Sequence, residues 1–87
     1  MTYSITWAVE ALAMLARVLR DADDPNRIQK ASDWLDYTLR RIPFDVGESR
    51  AHKGERVWYG DVLGVYSLVD EVAMTVSVIS VGPSRRR

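Results

Sequence analysis

Residues 2–7 alternate, with Tyr3, Ile5 and Trp7 set against Thr2, Ser4 and Thr6, the period of two that marks a strand with one buried face. From Ala8 the spacing opens. Ala8, Leu12, Leu15 and Leu19 form an apolar stripe of period 3.6, with Glu10, Arg17 and Arg20 set elsewhere, which predicts a helix to about Arg20. The stretch "DADDPN" breaks it: Asp24 suits an N-cap, and Pro25 the first helical position, where a missing N–H costs nothing. A second helix follows, with Ile28, Ala31, Leu35, Leu39 and Ile42 on one face, and ends before Pro43. The two helices are expected to form an antiparallel hairpin.

Residues 43–55 carry a proline, two glycines and mixed charges without periodicity, so they read as a connecting loop with a little strand near Phe44 and Val46. Beyond it the pattern is all strand. "RVWY", "VLGVYSLV" and "MTVSVISV" are rich in β-branched and aromatic residues and are parted by the turns "GD" and "DEVA". Gly64 inside the second of these runs marks a bulge or a close approach. The order β-α-α-β-β-β predicts an α+β fold in which a helical hairpin packs on one face of an antiparallel sheet. The first strand must then pair with a later one. The hairpin covers one face only, which leaves the other to solvent, a ligand or another chain.

At 87 residues the chain is a single domain near the small end of what folds alone, so binding a partner would add stability. Cysteine is absent, which removes disulfides, thiolate metal sites and a thiol nucleophile. The N-terminal residues lack a basic start followed by an apolar stretch, and no run approaches the ~18 apolar residues of a membrane span, so a cytoplasmic protein is expected.

Net charge is zero, which argues against a protein that coats nucleic acid through global charge, but the charges are unevenly placed. Residues 40–60 hold five basic side chains against three acidic, and Arg85, Arg86 and Arg87 close the chain. The middle segment brings Arg50, His52, Lys53 and Arg56 close to Glu48. Cutting RNA without a metal needs a base for the 2′-hydroxyl, an acid for the leaving oxygen and fixed cations on the phosphate, and these residue types are present. A solvated loop uses the same residues. Arginine suits bidentate phosphate contacts, so the terminal three are either a charged fringe or a phosphate grip. Trp58, Tyr59 and Tyr66 could stack on bases, but alternation sends Trp58 and Tyr59 to opposite faces, and core is the better reading for Trp7 and Trp34. No metal-ligand spacing or phosphate-binding glycine loop occurs, so no cofactor or metal is expected.

The element order, "PFDVGESR" at residues 43–50, "RVWYGDVLGVYSLVDE" at 56–71 and "VSVISVG" at 76–82 together resemble the RelE/ParE superfamily of bacterial type II toxins. The resemblance runs over nearly the whole chain. It implies a helical hairpin on a curved antiparallel sheet and a cognate antitoxin wrapped over that surface. RelE-like toxins enter the ribosomal A site and cleave messenger RNA with basic residues on the central strands and an arginine after the last one. Carried over by position, Arg56 and Arg85 take those places, both expected to be exposed; on the ribonuclease reading Glu48 or His52 is the candidate proton-transfer group, and Arg50, Lys53, Arg86 and Arg87 hold RNA phosphate. The resemblance thus implies a metal-independent endoribonuclease, with the terminal arginines beside the middle basic segment. Leu63 and Gly64 stand where the family carries a basic residue, and no tyrosine follows Arg85. ParE-like relatives keep the fold, lack the ribonuclease set and poison DNA gyrase, so a gyrase inhibitor or a degenerate toxin that mainly holds its antitoxin is the alternative.

Overall fold

The computed structural model describes residues 2–49 and 54–83. The elements are β1 (Ser4–Trp7), α1 (Val9–Asp21), α2 (Pro25–Arg41), a 3-10 turn (Pro43–Asp45), β2 (Glu48–Ser49), β3 (Glu55–Tyr59), β4 (Leu63–Asp70) and β5 (Thr75–Pro83). They form a five-stranded sheet of order β1-β5-β4-β3-β2, with both helices on one face. Asp24 accepts from the Asn26 N–H at 3.2 Å and Pro25 opens α2, as the breaker sequence predicts.

The sheet is mixed rather than antiparallel. β1 runs parallel to β5, in register from Ser4 opposite Thr75 to Trp7 opposite Val78. The reason lies in the helical hairpin, which returns the chain to the start of β1, where the Tyr3 N–H donates to the Arg40 carbonyl at 2.7 Å. β3 then leads away, β4 returns and β5 leads away again, so it runs beside β1 in the same sense. The strand expected near Phe44 and Val46 forms instead at Glu48–Ser49, while Phe44 lies in the 3-10 turn and Val46 is buried in the core.

The core joins Ala11 of α1 and Ile28, Leu35 and Leu39 of α2 to Leu63, Val65 and Val69 of β4 and Val76, Val78 and Val81 of β5. Two members of the predicted helix stripes, Leu12 and Ile42, are exposed, because the sheet meets α1 along Ala11 and α2 stops contributing at Leu39. Gly64 is a close approach: a Cβ there would lie 3.2 Å from the Tyr59 ring. The bulge sits further along, where the register shifts between Tyr66 opposite Ser80 and Ser67 opposite Val78 and leaves Ile79 as the extra residue.

Candidate functional site

Strand alternation sends one side of every β4 residue pair to the helices and the other outward. Leu63, Val65, Ser67 and Val69 are buried, whereas Tyr66 is half-buried and Leu68 and Asp70 lie outward. Cross-strand register extends this open face. Glu55 lies opposite Leu68, Val57 opposite Tyr66, Tyr59 opposite Gly64 and Glu48 opposite Val57. On the far side, Leu68 is followed by Ser77 and then Thr6. No helix covers this surface among the described residues, and its aromatic and apolar side chains, Tyr59, Tyr66 and Leu68, sit among the carboxylates of Glu48, Glu55 and Asp70.

Two of these groups are joined. The Tyr66 hydroxyl donates to the Glu55 carboxylate, a diagonal pair two residues out of register. Its pKa is raised above the ordinary phenol value, first because the hydrogen bond to Glu55 keeps the proton in place, then by desolvation and by the negative charge of the carboxylate.

Arg56 behaves differently from the expectation. It lies opposite Ser67, whose side chain is buried under the helices, so it points to the covered side of the sheet, half-buried rather than exposed. Its guanidinium donates to the Val46 carbonyl at 3.2 Å and to the Gly47 carbonyl at 2.6 Å. These bonds fasten the segment before β2 onto β3. Gly47 makes the close approach feasible: its φ is +73°, and a Cβ there would lie 2.2 Å from the Val57 carbonyl oxygen. Glu48, in register with Val57, faces the opposite way from Arg56. The two described members of the proposed cutting set are therefore on opposite faces.

Arg50, His52, Lys53, Arg85, Arg86 and Arg87 lie outside the described residues. Their anchors are described. Residues 50–53 connect Ser49, opposite Arg56, to Gly54, whose carbonyl accepts from the Val69 N–H at 2.8 Å. The final residues leave from Pro83, opposite Leu63. Leu63 and Val69 stand at the two ends of β4, about 20 Å apart at the strand rise. The two basic segments thus start from opposite ends of the sheet rather than side by side.

The aromatic readings divide. Trp58 is half-buried on the helix side and packs against the core, with Tyr59 exposed on the open face, and Trp7 also packs against the core. Trp34 is not core. It is 48% exposed and stacks on Trp58 with ring centroids 5.3 Å apart. Its position in α2, one residue before buried Leu35, carries that signal, because the helix stripe is narrower than its aromatic content. Among the described residues no group of three or more histidine, aspartate or glutamate side chains is gathered as a metal site. No described helix is long and apolar enough to cross a membrane.

Solved structures share this architecture from end to end. The toxin–antitoxin complex RelBE2 from Mycobacterium tuberculosis superposes with a TM-score of 0.76 at 20% identity, over 95% of this chain and 99% of that one. The chain has the RelE/ParE toxin fold. The isolated RelE toxin of E. coli matches with a TM-score of 0.69 at 17% identity, over 98% of this chain and 87% of the toxin. A chain of the chromosomal ParDE system of P. aeruginosa matches with a TM-score of 0.67 at 15% identity, over 95% and 97%. At such identities the RelE/ParE fold is what is shared, and both branches share it. No protein-family model and no curated protein matches the sequence.

Proposed function

We propose that this chain is the toxin of a type II toxin–antitoxin pair and that it acts by binding its target rather than by cutting it. The toxin half is supported by one observation, a fold held over 95% of the chain in common with a toxin–antitoxin complex at a TM-score of 0.76. The uncovered sheet face, with Tyr59 and Leu68 exposed, is the surface on which an antitoxin would sit. Covering it would also supply the burial that a chain of this size lacks. The binding half is supported by the placement of Glu48 and Arg56 on opposite faces and by the use of Arg56 on backbone carbonyls. A target such as DNA gyrase, held without strand scission, fits this reading.

Ribosome-dependent cleavage of messenger RNA is the second reading. It is favoured by Arg50, His52 and Lys53 following directly on Glu48, and by Arg85 following the last strand. Expression without antitoxin is expected to arrest bacterial growth, and co-expression of a cognate antitoxin is expected to restore it. Unchanged growth would remove both readings. A purified sample then separates them: gyrase arrest in a supercoiling assay without codon-phased cuts in a translated message selects binding, and cuts at saturating protein select cleavage.

A further inference from the structure

We propose that the outer face of α2 is a binding surface for single-stranded nucleic acid, built from Lys30, Trp34, Tyr37 and Arg41. This surface lies away from the open sheet face, and the proposal stands or falls independently of the toxin reading. The four residues recur at i, i+4, i+7 and i+11, so they form one line along the helix, about 16 Å long at 1.5 Å per residue. Trp34 is 48% and Tyr37 59% exposed, and Lys30 and Arg41 are exposed too. One side of the Trp34 ring is held by its stack on Trp58, and the Arg41 guanidinium lies 4.4 Å from the centre of the Tyr37 ring. Each aromatic ring thus has one packing partner while remaining open to solvent.

The charge on this line is only partly offset by its neighbours. Asp33 accepts from the Gln29 side chain at 3.0 Å, Asp36 from the Arg40 guanidinium at 3.0 Å, and Asp61 pairs with Arg27. Asp36 and Asp61 are thus neutralised by arginines, Asp33 keeps its charge, and Lys30 and Arg41 form no ion pair among the described residues, so the line holds two cations against one unpaired carboxylate. Cations in the last turn of a helix favour its dipole, which accounts for Arg41 but not for the exposed indole and phenol. Flat aromatic faces set between cations are how proteins hold unpaired bases and the phosphates between them. The open depression beside Trp34 has Ala31, Trp58 and Val62 as its apolar lining, with Lys30 and the paired Arg27 and Asp61 around it, which suits stacking better than the deep pocket an aliphatic anchor of a peptide would fill.

Titrating the full chain with 12-nucleotide single-stranded RNA and DNA of the same mixed sequence, at low salt, tests this through tryptophan fluorescence. Quenching is expected with either oligonucleotide, weaker with a DNA duplex of the same sequence. Trp34→Ala should weaken binding roughly five-fold to a hundred-fold. Lys30→Glu, an exposed change that leaves the stack intact, should flatten the slope of log K against log salt by about 0.7 or more. Thermal melts confirm that the variants are folded, and Lys30→Glu carries the test if Trp34→Ala does not fold. The proposal is overturned if neither oligonucleotide binds, if duplex binds as well as single strand, or if folded Lys30→Glu keeps the wild-type slope. It is equally overturned if an acidic peptide binds this face and the oligonucleotides do not, or if binding depends on Arg85, Arg86 and Arg87 alone.

Discussion

The Tyr66 hydroxyl donates to the Glu55 carboxylate across the open face of the sheet, tying β4 to β3. The bond requires the phenol proton. With the folded-state pKa raised, its stabilising contribution is complete below the ordinary phenol value near 10 and is lost as pH rises through the higher folded value. Alkaline melts are therefore expected to show a loss of stability that Tyr66→Phe lacks. Glu55→Gln should move the ionisation of this phenol down, read as the Tyr66-dependent part of the 295 nm titration. An unchanged titration in Glu55→Gln would show that the carboxylate does not set it.

Arg56 secures the segment before β2 through two carbonyls, at 3.2 and 2.6 Å. Arg56→Ala leaves both without that donor and should cost about 1–3 kcal/mol, seen as a lower urea midpoint. If toxicity also falls, the stability loss is a sufficient cause and no role in phosphate binding need follow. A variant as stable as the parent but inactive would instead support a direct role for Arg56 at the target.

Gly47 combines a φ of +73° with a gap that admits no side chain. Gly47→Ala is expected to destabilise by about 2 kcal/mol or more, since backbone strain adds to contact with the Val57 carbonyl. Equilibrium unfolding in urea measures it. A loss of a few tenths of a kcal/mol would mean that the hairpin around β2 shifts freely and that Arg56 does not fix it.

Leu35 is fully buried at the centre of the α2 contact with the sheet. Leu35→Ala should cost about 2–5 kcal/mol, a large part of what so small a domain has. The neighbouring change Trp34→Ala should cost less, because it removes a stack at the surface rather than a core side chain. The reverse order of melting temperatures would place Trp34 in the core after all.

Local pattern was enough to read both helices and the four long strands. Period 3.6, the Asp24-Pro25 breaker and alternating β-branched runs all report the balance of burial and exposure within one element, which neighbours in sequence determine. What needed the tertiary structure was every choice between faces. The line of α2 that meets the sheet is set by packing, so Trp34 and Ile42 lie outside and Leu35 and Leu39 inside, although all four are apolar. Register decides the same for Arg56: as one of several cations in a loop-and-strand segment it reads as a free hand for phosphate, and its position opposite Ser67 turns it toward the helices. The direction of β1 likewise depends on the helical hairpin returning the chain to Tyr3. Composition could place basic residues in two segments of the sequence. Only the strand order could show that these segments leave the sheet about 20 Å apart, because distance along a chain carries no record of which ends a sheet brings together.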